Sequence, residues 1–144
     1  MTAMKVKTLA FISGALLLAA VVFASLWFSA QKDRIDLKEM AQYEARVSHS
    51  SFLEFQKDKS EDSYWQAVSA FYAFEQAYYQ YREGSGESYN FVASNEVYGY
   101  LLTAPEKCRS HLEEIIAVME LLSKNVEDEN AYLQMSNLRN SLSE

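Results

Sequence analysis

The chain has one cysteine, one proline and four glycines in 144 residues. With Cys108 alone no intrachain disulfide can form, so the fold rests on packing. The bland role for Cys108 is that of a small buried residue. Its neighbours Lys107 and Arg109 point away from it on a helix and do not activate the thiol. Few helix breakers means few interruptions: Pro105 stands alone, and Gly84 and Gly86 form the one glycine cluster. A sustained period-2 run bounded by turn residues is also missing, which removes the signal for strands. Basic charge is in short supply, with 13 Lys and Arg against 20 Asp and Glu. Lys5 and Lys7 precede the apolar segment. Setting them aside leaves eleven bases against twenty acids, a balance of about −9. Such a domain repels phosphates, and no basic stripe offsets this, so nucleic acid is not an expected partner.

Signatures of chemistry are missing too. There is no glycine-rich phosphate loop, no Gly-x-Ser-x-Gly and no spaced Cys–His pattern. The two histidines are His49 and His111. His111 and Glu114 share a helix face at i, i+3, but one such pair cannot hold a metal without ligands from other helices. Glu127-Asp128-Glu129 lacks the alternating oxygens, central glycine and terminal glutamate of a calcium loop. No catalytic residue, cofactor or metal is expected.

What the chain has in abundance is apolar length at one end. Thr8 to Ala30 reads TLAFISGALLLAAVVFASLWFSA, without a charge. As a helix it would rise roughly 35 Å, enough to cross a hydrocarbon core near 30 Å. Trp27 lies near its end, at the depth where an amphipathic ring is favoured. A cleaved signal peptide is the rival reading, with Val22-Phe23-Ala24 as a possible cleavage site. The run is longer than such segments usually are, and cleavage after Ala30 would place Phe28 three residues upstream, so an anchor is expected. Lys5 and Lys7 favour a cytoplasmic N-terminus, whereas Lys32, Arg34, Lys38 and Arg46 on the other flank argue the opposite way. The signal-like layout decides for an extracytoplasmic C-terminal domain, at the cell membrane and single-pass.

Beyond the anchor the periodicity is helical. Leu37, Met40, Val47, Phe52 and Phe55 outline a first, imperfect face, and Ser48-His49-Ser50-Ser51 weakens its middle. The strongest pattern follows Ser60, a cap with Glu61 and Asp62 in the first turn. Tyr64, Ala67, Phe71, Phe74, Tyr78 and Tyr81 recur by threes and fours, so this helix lies centrally. Trp65, Val68, Tyr72 and Tyr79 form a second face beside the first. Residues 83–90 form a polar loop, and a short helix over 94–102 follows. Thr103, Pro105 and Glu106 make a helix start: cap, first-turn proline, capping-box acid. That helix buries Cys108, Leu112, Ile115, Met119 and Leu122 and ends at Asn125; a last one buries Ala131, Met135, Leu138 and Leu142. The expected class is all-α: an N-terminal transmembrane helix followed by a small four- or five-helix bundle. Residues 1–7 form a short tail, 8–30 the anchor, and 31–144 an acidic helical domain.

Trp65-x-x-Val68-Ser69-x-x-Tyr72 resembles the opening of a tetratricopeptide repeat over eight residues. No second copy follows, and three are needed for a stacked core, so these residues are read as helix packing. Ten tyrosines are the compositional oddity. Their rings bury area while the hydroxyls still bond, which suits a core or a partner surface. Trp65, Tyr72 and Tyr79 are the candidate recognition surface. The functional expectation is a membrane-tethered protein–protein interaction or scaffold module without catalysis. It would hold the bilayer through residues 8–30 and a protein partner through its bundle. The alternative is an extracytoplasmic ligand-binding bundle, similar in layout to chemoreceptor sensor domains, acting through a partner chain.

Overall fold

The computed structural model describes the backbone of residues 2–83 and 89–144, and the side chains of residues 19–83 and 92–144. Among these residues there are six helices and no strand: α1 (Thr2–Asp58), α2 (Glu61–Glu83), α3 (Tyr89–Thr103), α4 (Pro105–Ser110), α5 (Leu112–Lys124) and α6 (Glu129–Ser143). The all-α class and the bundle-like packing expected from periodicity are what the chain adopts. The chain divides into two compact units, Met1–Ile35 and Asp36–Glu144.

The first unit holds the apolar part of α1. Val21, Val22, Phe23, Leu26, Trp27 and Phe28 are all exposed. Among the described residues no helix is long and apolar enough to cross a membrane. The expected span, 8–30, is only partly within reach of that statement, because the side chains of residues 8–18 lie outside the described residues.

In the second unit α2 supplies the spine. Ser60 caps it as expected: its hydroxyl accepts from the Ser63 amide at 3.1 Å. Asp58 braces the turn by accepting from the Ser60 amide at 3.0 Å and from the Ser63 hydroxyl. These bonds, the Ser60 amide first, hold the Asp58 carboxyl below its usual range. Between the two helices Lys59 takes φ 52°, the left-handed conformation that reverses the chain. The stripe of Tyr64, Ala67, Phe71, Phe74, Tyr78 and Tyr81 is buried throughout. Phe71 meets Phe52 of α1 edge-on at 6.3 Å, and Phe55 meets Tyr64 at 5.2 Å. Helix α3 packs against α2, α4 and α6, and α5 packs against α6. Tyr78 of α2 stacks on Tyr132 of α6 at 5.4 Å, tying the spine to the last helix.

Several local expectations are corrected. The buried face of α1 is Ala41, Ala45, Ser48, Phe52 and Phe55, while Met40 is exposed. Alanines at that seam let helices approach closely, and a longer thioether there would hold them apart. The serine run does not interrupt α1: Ser50 and Ser51 return their hydroxyls to the carbonyls of Arg46 and Val47, both at 2.9 Å, and the helix continues through them. The Thr103 capping box does not form. Its hydroxyl donates back to the Gly99 carbonyl at 2.8 Å and the N-cap is Ala104, without a side-chain cap. The helix opened by Pro105 also breaks at His111 (φ −108°, ψ 20°), so α4 and α5 are separate, yet Cys108, Ile115, Met119 and Leu122 stay buried. The loop expected over 83–90 falls largely on 84–88, outside the described residues, and α3 starts at Tyr89 rather than at 94.

Asn125 ends α5 in extended conformation, its amide bonded to the Leu121 carbonyl. Asp128 then caps α6, its carboxylate accepting from the Asn130 amide at 2.9 Å and the Ala131 amide at 3.1 Å. Replacing it by alanine leaves both amides to water and removes a charge that suits the helix N-terminus. Asp128→Ala should destabilise the chain by about 1 kcal/mol, seen as a melting temperature lower by roughly 4 °C in circular dichroism. Asp128→Asn should recover most of that loss.

Candidate functional site: an aromatic face on the central helix

Residues seven apart on an α-helix nearly share an azimuth and lie about 10 Å apart along the axis. Trp65, Tyr72 and Tyr79 have that spacing, and α2 turns all three outward, at 43%, 46% and 43% exposure. Their inner neighbour Val68 is buried. The second face expected on α2 is therefore split: the aliphatic member joins the core and the aromatic members stay at the surface.

Two of the rings rest on neighbouring aromatic side chains. Tyr72 stacks on Tyr98 of α3, with centroids 5.1 Å apart and planes 28° off parallel. Trp65 meets the buried Tyr64 edge-on at 5.2 Å. Beside Trp65 runs an open groove whose walls are Val47 and Ser51 of α1 and Asp62, Gln66 and Ser69 of α2. It is a shallow channel between two helices, without the enclosure that buries most of a small ligand.

Aromatic rings in this fold also seat cations. The Arg109 guanidinium lies 4.9 Å from the Tyr64 ring centre and 5.7 Å from that of Phe55, and pairs with Glu61 and, at 3.2 Å, Glu106. The hydrogen bond with Glu61, ahead of the nearby acidic charges, raises the Arg109 pKa further. Arg82 lies over Tyr78 at 5.9 Å. Burial, with the Cys108 thiol next, raises the Tyr64 pKa, so its hydroxyl stays protonated and donates to the Leu101 carbonyl at 2.8 Å.

At the far end of α2, Glu127 joins three elements. It accepts from the Tyr81 hydroxyl and pairs with Lys38 of α1, from its place in the turn before α6. Next to it, the Gln42 amide of α1 donates to the Lys124 carbonyl at 2.6 Å. In the sequence Glu127 stands out only as part of an acidic run without the pattern of a calcium loop. Its partners lie 46 and 89 residues away, so no local pattern reveals them.

Chemistry is thin elsewhere. Cys108 is buried, and burial pushes its thiol up to about 11, away from the reactive thiolate. His111 and Glu114 meet at 3.0 Å on the surface. No group of three His, Cys, Asp or Glu converges on a metal site among the described residues. Among the described residues the one carboxylate in the core is Glu75, 1% exposed, which the sequence reading passed over. Its Oε1 has no hydrogen-bond partner among the described residues. Burial pushes its carboxyl up to about 7, and a hydrogen bond with Ser94 of α3 opposes this. A signal was available: Glu75 lies four residues after Phe71 and three before Tyr78, inside the core arc.

Measured against known proteins, the chain matches no family model, and neither a curated protein nor a solved structure resembles it.

Proposed function

We propose that this protein is a membrane-tethered, non-catalytic interaction module. Residues 8–30 anchor it in the bilayer, and the bundle of residues 36–144 presents the Trp65–Tyr72–Tyr79 face to a protein partner, with that bundle on the extracytoplasmic side. The observation that carries the tether is the arrangement of Val21, Val22, Phe23, Leu26, Trp27 and Phe28, all exposed on α1. At 100° per residue these side chains spread around the helix, and the two gaps of about 100° between them hold Ala24 on one side and Ser25 with Ser29 on the other. A surface helix of a soluble domain keeps a charged or strongly polar side, whereas this stretch has no charge and only two serines, the Ser25 hydroxyl being returned to the Val22 carbonyl at 2.8 Å. Each such side chain left in water forgoes on the order of 1 kcal/mol or more, which lipid would recover.

The partner surface is supported by rings that are large and outward, with Trp65 and Tyr72 resting on neighbouring rings. Tyr and Trp are enriched where protein surfaces bind, because they bury much area at little entropic cost. The open groove beside Trp65 favours a protein partner over the small ligand of a sensor domain.

Carbonate washing of membranes from expressing cells tests the tether. The full chain should stay in the pellet, and Val22→Arg combined with Leu26→Arg should move most of it to the supernatant, since two charges near mid-span cost about 5 kcal/mol or more. Wild-type protein in the carbonate supernatant, at full length or trimmed, would refute the anchor.

A further inference from the structure

We infer that the Trp65–Tyr72–Tyr79 face is built for a cationic, arginine-bearing segment of its partner; this rests on the reading of that face as the interaction surface. Three observations converge on it. The first is charge. The chain carries a net −7, and α2 contributes Glu61, Asp62 and Glu83 to its exposed side. Its one base, Arg82, is half-buried against the Tyr78 ring.

The second is ring geometry. Successive rings sit about 10 Å apart along α2, the rise of two helical turns. A partner helix with arginines seven residues apart, or a polyproline II segment with arginines three apart, meets each ring with one guanidinium. Tyr72 is backed by Tyr98, so one face of the pair is braced and the cation meets a fixed ring.

The third is that the fold seats its own arginines in this way. Arg109 lies over Tyr64 and Phe55 and is completed by Glu61 and Glu106. Arg82 lies over Tyr78. Ring plus carboxylate is therefore a cation seat this sequence already forms inside itself. The exposed face offers the same two ingredients, with Asp62 close to Trp65 in the groove wall. A guanidinium suits such a seat better than an ammonium, because it stacks flat on a ring while its edge meets a carboxylate.

Charge also sorts the other occupants. A second copy would bring its own excess of acids against this face, and an anionic headgroup layer would be repelled. A basic partner is drawn in from a distance and gains speed as well as affinity.

The test is selection of random dodecapeptides, displayed on phage, by the full chain in phosphatidylcholine nanodiscs. A parallel selection uses the Trp65→Ala/Tyr72→Ala/Tyr79→Ala variant, whose substitutions fall on exposed positions and whose helicity and melting temperature are checked first. The expected result is an arginine-rich consensus from the wild type that the triple variant does not return. A synthetic peptide of that consensus should lose at least tenfold in affinity when its arginines become citrulline. Neutral or acidic peptides selected in a ladder-dependent way would overturn the cationic inference and leave the interaction module standing. An arginine-rich consensus returned equally by both proteins would remove the face as the seat. No enrichment from either would count against both the inference and the reading beneath it.

Discussion

Phe71→Ala should lower the stability of the bundle by about 3–5 kcal/mol, and the melting temperature by roughly 15 °C. Phe71 is buried where α1 and α2 meet, with Phe52 at 6.3 Å and Phe74 at 6.0 Å, both edge-on. Truncation removes the transfer energy of a ring, two aromatic contacts and the filling of a space that rigid helices cannot close. A domain of this size holds about 5–15 kcal/mol in all, so the loss is a large share. The neighbouring substitution gives the contrast: Tyr72→Ala removes an exposed ring and one stack, and should cost about 1 kcal/mol. Parallel melts of the two variants, followed by near-ultraviolet circular dichroism, check the difference. Equal losses would mean that the ring at 71 does not fill the core as described.

That pair of adjacent residues also shows what could be read from the sequence. The α2 stripe was legible because six large or small apolar side chains repeat at helical spacing, and a period of that length leaves one solution for which side faces in. The outward setting of Trp65, Tyr72 and Tyr79 follows from the same geometry. Helix α1 was less legible. Its buried seam runs through Ala41, Ala45 and Ser48, which carry little hydropathy, while the more apolar Met40 faces solvent. Small side chains line that seam, and a hydropathy pattern does not single them out. The break at His111 has no proline or glycine to announce it. The Thr103 hydroxyl had two carbonyl and amide choices of similar worth, and the last turn of α3 took it. The contacts least legible of all are the long-range ones: Glu127 with Tyr81 and Lys38, Arg109 with Glu61, Tyr72 with Tyr98. Each depends on which helices are neighbours, and one-dimensional periodicity fixes faces without fixing neighbours. The candidate site was thus visible as a row of rings, but its bracing and the cation seats around it were not.

Glu75 sets the second large effect, and its sign runs against the usual behaviour of a carboxylate. Most acids in folded proteins gain partners and have lowered pKa values, so stability falls as pH drops. Glu75 is buried and its Oε1 has no partner among the described residues; desolvation takes its carboxyl to about 7, from an ordinary value of 4.5. Below pH 4.5 the group is protonated in both the folded and unfolded chains and contributes nothing to pH dependence. Between about 4.5 and 7 the folded chain keeps a proton that the unfolded chain has released, so stability falls as pH rises, by up to about 1.4 kcal/mol per pH unit. Above about 7 both forms are ionised and the accumulated loss levels off at about 3 kcal/mol. Glu75→Gln removes the titration while keeping a side chain of the same shape that can still bond to Ser94. The variant should match the wild type near pH 4.5 and exceed it at pH 8.5 by about 3 kcal/mol, or roughly 10 °C in melting temperature. The other ionisable groups are common to both proteins, so the difference between their stability–pH curves isolates this one. The effect reaches the exposed ring face because Glu75 meets Ser94 on the α2–α3 seam that also carries the Tyr72–Tyr98 stack. Ionisation there works against the same helix pairing that braces the central ring. Amide exchange along α3 should accordingly quicken between pH 6 and 8, beyond the intrinsic rate, in the wild type and not in Glu75→Gln. Two curves that run parallel across that range would show the carboxyl to be solvated.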